Sequence, residues 1–338
     1  MSRLKRIAQN QHGVQPLGGG HALCQGCGAP SIVRMVLSSI DTPVIVVNAT
    51  GCLEVATSRY PITAWNVPWI HSAFENTAAT ASGIEAAYKA LKRRGTLPGG
   101  DKEVTIVAFG GDGGTYDIGL QALSGALERG HRFLYVCYDN GAYMNTGIQR
   151  SGATPYGADT TTSPVGASDP IGKLQQHKDL TAIAAAHHIP YVGQSSGARW
   201  QDLSAKVERA VALGGPAFMN VMSDCPLGWG HESKVGIDVM RAAQDSLFWP
   251  LFEVVNGDYR LTYRPRKVIP VVDFLKMQRR FAHLFKPGNE AVLEAIQQQV
   301  EDEWVRLLKL CGEEVRELPV VKPTEETEEE KEAVGAVA

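Results

Sequence analysis

Short apolar runs and helix-spaced apolar positions alternate along this chain from about residue 30 to residue 222. The runs predict buried strands at Val44–Val47, Glu103–Phe109, Arg132–Tyr138, Pro190–Val192 and Pro216–Met222. Between them the spacing predicts helices at Pro30–Ser39, Asn76–Arg93, Asp117–Glu128, Asp179–Ala186 and Trp200–Leu213. In the first helix Ile32, Met35, Val36 and Leu37 carry the apolar positions. Strand–helix–strand order implies right-handed crossovers in a parallel sheet. The expected fold class is α/β, an open and mainly parallel sheet with helices on both faces and a helical C-terminal extension. Asn76–Arg93 is rich in alanine, which suits either tight helix packing or the close approach of a cofactor. From Gly141 to about Ala167 the chain is dense in Gly, Thr, Ser and Pro without a period, and a loop of that length is usually functional. Beyond Gly230 the pattern turns helical and more charged, ending in a helix at Glu290–Leu310 with Asn289 as its N-cap.

These patterns divide the chain into a lead-in (1–20), an α/β domain (21–230), a mainly helical extension (231–318) and an acidic disordered tail (319–338). Charge supports the last boundary. From Pro323 onward there are six Glu and one Lys, a balance of −5 against −3 for the whole chain, so the remainder carries about +2. No basic stripe suggests a nucleic-acid partner. No apolar run approaches a membrane span, and no secretory signal follows Arg3, Lys5 and Arg6. A cytoplasmic location is expected, where thiols stay reduced. The six cysteines then argue for metal or cluster ligation before disulfides.

Candidate chemistry falls at strand ends. Cys52, Asp112, Asn140 and Cys225 each follow a predicted strand, and open parallel sheets bind ligands at those ends. Gly110-Gly111-Asp112-Gly113-Gly114 fits neither the dinucleotide fingerprint nor the P-loop. Its glycines would let backbone approach a diphosphate while Asp112 offers a carboxylate to Mg2+. Asn140 lies 28 residues on and can add an amide oxygen, and Ala142 a carbonyl. A helix starting near Asp117 would direct its N-terminal dipole at the phosphates. A lone Gly-Asp-Gly is ordinarily a turn; the spacing to Asn140 across one strand–helix–strand unit reverses that preference.

Cys24-Gln-Gly-Cys27, Cys52 and Cys225 supply four thiolates, a set that holds either a [4Fe–4S] cluster or structural zinc. Spacing alone suits zinc slightly better, and a redox CxxC pair fits poorly. Cys137, inside a strand, reads as a packed small hydrophobe, and Cys311 as having no ligand role. His21 and His71 flank the candidate segments, where either could touch a bound cofactor, and the preferred reading is of ordinary hydrogen-bonding histidines. Tryptophans such as Trp65 and Trp69 read as packing or interface residues.

The motifs CQGCG, VVNATGCLEV, VPWIHSAFEN, GGDGGTYDIG, YDNGAYMNTGIQRSGATPYGA and DCPLGW, spread over roughly residues 15–265, are together highly specific. They resemble the β subunit, the thiamin diphosphate half, of the pyruvate:ferredoxin (2-oxoacid:ferredoxin) oxidoreductases. The resemblance implies that Asp112 and Asn140 hold Mg2+ with help from the Ala142 carbonyl. Gly111, Gly113, Gly114, Tyr143 and Asn145 would contact thiamin diphosphate, and Asn145 and Thr146 would lie near the thiazolium and substrate as catalytic residues. It decides the four cysteines for a [4Fe–4S] cluster. It implies CoA-dependent oxidative decarboxylation of a 2-oxoacid, with pyruvate yielding acetyl-CoA and CO2, electrons passing to ferredoxin, and reversal as pyruvate synthase. The implied partners are an α subunit that supplies the pyrimidine-side glutamate and much of the substrate pocket, a γ subunit and a ferredoxin-like δ subunit. Glu75 is not assigned the glutamate role. The alternatives are the same chemistry on 2-oxoisovalerate, 2-oxoglutarate or oxalate, or a non-oxidative thiamin lyase or synthase with a zinc staple. Gly141-Ala142 departs from relatives that carry Glu followed by Ala or Val; a carbonyl ligand does not depend on that side chain.

Overall fold

The computed structural model describes residues 15–100, 102–166 and 170–314. The acidic tail 319–338 and residues 1–14 of the lead-in lie outside the described residues. Eight strands form one sheet: β1 (Val44–Ala49), β2 (Trp69–Ser72), β3 (Thr105–Gly111), β4 (Leu134–Asp139), β5 (Tyr191–Ser196), β6 (Ala217–Met222), β7 (Phe252–Val255) and β8 (Asp258–Leu261). Their order is β2-β1-β3-β4-β6-β5-β7-β8. The first six pair in parallel, and β7 and β8 add antiparallel at one edge. The expected α/β fold with a mainly parallel sheet is therefore observed. β2 and the β7–β8 hairpin were not foreseen; each has four residues, and β2 is half exposed, so neither leaves a strong apolar run.

Side-chain alternation along the central strands builds a core on each side. Leu134, Val136 and Tyr138 of β4 join Val107 and Phe109 of β3 on one face. That face is covered by α1 (Ala29–Ser38), through Ile32, Val33 and Val36, and by Leu203 and Val207 of the helix Trp200–Leu213. Tyr135 and Cys137 point the other way, into a core shared with Ala108, Phe218 and Met222. The period of two dictates this split. β4, β5 and β6 are buried along their whole length, as strands covered on both faces must be. Each fully buried Ile, Val or Phe here contributes roughly 1.5–3 kcal/mol relative to exposure.

The remaining helices are α2 (Cys52–Thr57), α3 (Thr77–Arg93), α4 (Leu120–Glu128), α5 (Leu180–Ala185), α6 (Trp200–Leu213), α7 (Pro226–Trp229), α8 (Gly236–Asp245), α9 (Val271–Lys276) and α10 (Glu290–Leu310). The small face of α3 is used for helix packing: Ala78 and Ala81 are buried in the core, where α3 packs on β3 and α4. Among the described residues no helix is long and apolar enough to cross a membrane.

Three local expectations are corrected. Cys52, expected on the loop just past the first strand, is the first residue of α2. The helix expected from Asp117 begins earlier, as a wide π-helical turn over Gly113–Ile118 that leads into α4. Two glycines let that turn pack closely against its neighbours, because a Cβ on Gly113 would stand 2.4 Å from the Tyr143 ring and one on Gly114 2.9 Å from the Phe74 carbonyl. Asn289 does not cap α10 with its side chain, whose Nδ2 donates to the His283 carbonyl at 2.9 Å. The Glu290 carboxylate instead reaches back to accept the Gly288 N–H at 2.9 Å.

Candidate active site at the strand ends

β1 is neighboured by β2 on one side and β3 on the other, so the chain's path across the sheet reverses between β1 and β3. A crevice opens outside the carboxyl ends at such a switch point. Gly51 and Cys52 follow β1 there, and Asp112 follows β3. One cleft of about 30 Å³ is lined by Gly111, Asp112, Gly113, Gly114, Asn140, Ala142, Tyr143, Asn145, Thr146 and Cys52, so the fold brings these expected residues together. Thr50, Phe74, Tyr138 and Met144 also line it and were not singled out from sequence.

Asp112 is 1 % exposed. Its Oδ2 accepts the Ser151 hydroxyl at 2.5 Å, and its Oδ1 faces the Asn140 backbone N–H at 3.4 Å. Burial, then the nearby Asp139 charge, pushes its pKa well above the usual carboxylate range. Asp139 is also buried and raised, chiefly by desolvation. Its Oδ2 accepts the Tyr116 hydroxyl at 2.5 Å, and its Oδ1 accepts the Gly141 N–H at 3.0 Å. Tyr116 in turn accepts from Asn220 Nδ2 at 2.7 Å. Two adjacent buried carboxylates resist ionisation unless a cation joins them.

The Asp139 bond to Gly141 shapes the turn that presents the next ligands. Gly141 has φ +75°, the left-handed region that favours glycine. One terminal atom of the Asn140 amide then lies 2.9 Å from Asp112 Oδ1 and 3.0 Å from the Ala142 carbonyl oxygen. As the amide nitrogen it donates to both. As the oxygen it stands from each of those two oxygens at about the 3.0 Å edge of an octahedron of about 2.1 Å metal–oxygen bonds. The donor set therefore suits a hard divalent cation. Tyr143 closes one side, its ring edge-on to Phe74 at 6.0 Å. Burial, followed by the Asp117 and Asp112 charges, pushes its hydroxyl up to about 12. Thr146 donates to Gln149 Oε1 at 2.5 Å on an exposed turn. Glu75 is exposed and does not line the cleft.

The four cysteines arrive from separate places: the turn before α1 (Cys24, Cys27), the start of α2 (Cys52) and the cap of α7 (Cys225). Burial pushes the Cys27 thiol up to about 12, with the Cys225 and Cys52 charges adding to it. Burial and Cys225 push Cys52 up to about 11, while the Asn145 side chain hydrogen-bonds it and opposes the rise. Cys225 is raised by burial and by Cys24, against the Gly228 N–H that donates to its Sγ at 3.3 Å. Cys27 and Cys52 are thus each perturbed by two others of the set, and Cys225 by Cys24. Among the described residues, however, no three His, Cys, Asp or Glu side chains are gathered tightly enough to hold a metal ion. Neutral thiols do not attract one another, and Cys24 sits on an exposed turn. In donor type the set fits a soft, multiply charged centre. Cys137 is fully buried in β4, as a packed small hydrophobe would be, and Cys311 caps the end of α10. His71 bonds Thr50 Oγ1 at 3.1 Å, and Trp65 stacks on Trp69 at 6.0 Å.

Sequence reasoning missed Asp139, Tyr116 and Ser151. Asp139 carried one signal, an acid beside Asn140 at a strand end. The others lie far along the chain from the groups they serve.

Comparison with known proteins agrees with this geometry. Residues 49–221, from the end of β1 to the end of β6, match the thiamine pyrophosphate enzyme C-terminal TPP-binding domain. The chain is 51% identical over 295 residues to pyruvate synthase subunit PorB of Thermotoga maritima, covering 86% of this chain and 90% of that one. It is 51% identical over 292 residues to PorB of Methanocaldococcus jannaschii, covering 86% and 95%. It is 43% identical over 294 residues to ketoisovalerate oxidoreductase subunit VorB of Pyrococcus abyssi, covering 86% and 92%. A 2-oxoglutarate:ferredoxin oxidoreductase from Magnetococcus marinus superposes with a TM-score of 0.50 at 19% identity, over 68% of this chain and 80% of that one, a likeness of fold. The chain belongs to the thiamin diphosphate-binding β subunits of pyruvate synthase and the related 2-oxoacid:ferredoxin oxidoreductases.

Proposed function

We propose that this chain is the thiamin diphosphate-, Mg2+- and [4Fe–4S]-bearing subunit of a cytoplasmic pyruvate synthase. The complex converts pyruvate and CoA to acetyl-CoA and CO2, passes electrons to ferredoxin, and runs in reverse. The observation that carries this reading is the convergence of the Asp112, Asn140 and Ala142 oxygens beside four thiols at one end of the sheet. When bound, thiamin diphosphate supplies the electron sink for decarboxylation, and the cluster accepts the released electrons one at a time.

The chain's own residues prepare that chemistry. Asp112, Asn140 and the Ala142 carbonyl would hold Mg2+ against the diphosphate, with Ser151 fixing the carboxylate and Asp139 fixing the turn. Gly113 and Gly114 let Tyr143 and Phe74 pack directly against the loop that would receive the diphosphate, and Gly111 lies against Tyr138. Asn145 and Thr146 stand at the exposed rim, where substrate enters, and Asn145 is bonded to Cys52, which joins the organic site to the thiol set. Cys24, Cys27, Cys52 and Cys225 would ligate the cluster.

The cleft encloses about 30 Å³, far below the roughly 300–1,000 Å³ of a complete small-molecule site. The missing wall supports a partner: an α subunit carrying the pyrimidine-side glutamate and much of the 2-oxoacid pocket, with γ and ferredoxin-like δ subunits completing the path to ferredoxin. The VorB relative favours a second reading, the same chemistry on 2-oxoisovalerate.

The test is iron, acid-labile sulfide, zinc and thiamin content of the anaerobically purified complex, followed by acceptor reduction with each 2-oxoacid. Thiamin, a four-iron, four-sulfide complement dependent on Cys52, and CoA-dependent activity on pyruvate are expected. Zinc without sulfide in this chain would move the reading to non-redox thiamin chemistry.

A further inference from the structure

We propose that Arg280 is a positioning residue that sets the reduction potential of the iron–sulfur centre, its buried guanidinium being a fixed positive charge stacked on Trp229 of the helix that Cys225 caps. The inference rests on the cluster reading above and extends it to the C-terminal extension, which had no role in the site.

Arg280 enters on a 3-10 segment, Arg279–Phe285, between α9 and α10. It is 7% exposed, and among the described residues it forms no ion pair with a carboxylate. Its Nε donates to Gln278 Oε1 at 3.0 Å. The guanidinium carbon lies 4.4 Å from the centre of the Trp229 ring and 5.1 Å from that of Phe281. Trp229 ends α7, the helix that Cys225 caps, and its Nε1 donates to the Asn140 carbonyl at 2.7 Å. Arg280 Nη1 occupies the space beside Gly141, 2.9 Å from where a Cβ on that glycine would stand. Arg280 is thus stacked on a side chain that ties the Cys225 helix to the Asn140 turn.

A buried cation without a paired anion is costly, and its persistence calls for negative charge nearby. Burial pulls the Arg280 pKa down to about 9, and Cys225, Asp139 and Asp112 hold it up, so the group stays charged at neutral pH. Reduction of a thiolate-held cluster adds a negative charge in a poorly screened interior. A fixed cation on the Cys225 side favours the reduced form and raises the potential. Hydrogen bonding and charge around the ligands are recognised levers on such centres.

The experiment is an EPR-monitored reductive titration of the anaerobically purified complex, comparing wild type, Arg280→Gln and Arg280→Lys. This chain's signal is identified as the one altered in Cys52→Ser. The expected result is a more negative midpoint in Arg280→Gln at unchanged iron content, with Arg280→Lys closer to wild type. An unchanged midpoint in Arg280→Gln, or equal shifts in both variants, overturns the proposal. If Arg280→Gln does not load iron, Arg280→Met takes its place. Failure of both neutral variants with loading restored by lysine supports the charge, and failure of all three marks a structural role and overturns it. If Cys52→Ser alters neither the iron and sulfide content nor any signal, the cluster reading itself fails, a result distinct from an unshifted midpoint.

Discussion

At the residue scale, the candidate site separates into groups that touch a ligand and groups that hold them. Asp112→Ala removes the one carboxylate of the oxygen trio. It is expected to abolish Mg2+-dependent thiamin diphosphate binding while iron content stays, read from thiamin and iron content of the same preparation. Ser151→Ala acts one step out. It removes the 2.5 Å bond to Asp112 Oδ2, and loss of such a supporting bond weakens metal affinity by roughly 10–100-fold. A magnesium titration of thiamin diphosphate binding is expected to show that loss with the fold intact. Asp112 was legible because glycines flank it and Asn140 follows at a telling distance. Ser151, 39 residues away inside a Gly- and Thr-rich loop, looks like any loop serine until the fold brings its hydroxyl to the carboxylate. Arg280 was illegible for the same reason: in the sequence it is the second of two arginines in a charged C-terminal stretch.

At the scale of elements, long central strands were readable because both faces are buried, while β2, β7 and β8 were too short to announce themselves. The π-helical turn after Asp112 was also hidden, since its two glycines do not specify it. Its geometry makes a prediction. Gly113→Ala would place a methyl 2.4 Å from the Tyr143 ring, so the ring must leave the cleft wall or the turn must open. Thiamin diphosphate binding is expected to weaken with cluster content unchanged; wild-type cofactor affinity would show that the wall can move freely.

A second prediction concerns α6. Lys206 is 1% exposed, and its Nζ bonds the Gln194 carbonyl of β5 at 2.7 Å, Asp202 at 2.8 Å and Thr262 at 2.8 Å. Burial pulls its pKa from 10.5 down to about 8, against the Asp202 charge. Between about pH 8 and 10.5 the folded chain has released a proton that the unfolded chain still binds, so this group's contribution to stability rises with pH. The rise is on the order of 3 kcal/mol across the interval. Urea unfolding of wild type and Lys206→Met is expected to diverge in that direction, wild type gaining relative to the variant as pH rises; a constant difference would place the lysine's proton outside the interval.

At the scale of the whole molecule, the sheet delivers its ligands to one end and leaves that end open. The switch point of β1 against β3 contributes Cys52 and Asp112, and the neighbouring ends of β4 and β6 contribute Asn140 and Cys225. What they assemble is half a site: metal donors, a glycine floor and a rim of Asn145 and Thr146, with about 30 Å³ enclosed. A cofactor held on one side only forfeits the burial that makes small-molecule sites tight, since such sites cover most of the ligand's surface. The isolated chain is therefore expected to fold, because its core closes without help on both sheet faces, yet to bind thiamin diphosphate at least about tenfold more weakly than the assembled complex, a difference of roughly 1.4 kcal/mol. Calorimetry with magnesium present, on the chain alone and on the co-expressed complex, measures both affinities. Equal affinity would mean that this chain encloses the cofactor unaided and that the partner's contribution lies in substrate selection or electron exit. Weak binding that recovers on adding the partner would locate the missing wall on the other subunit and explain why a chain with its metal donors already converged presents so open a cleft.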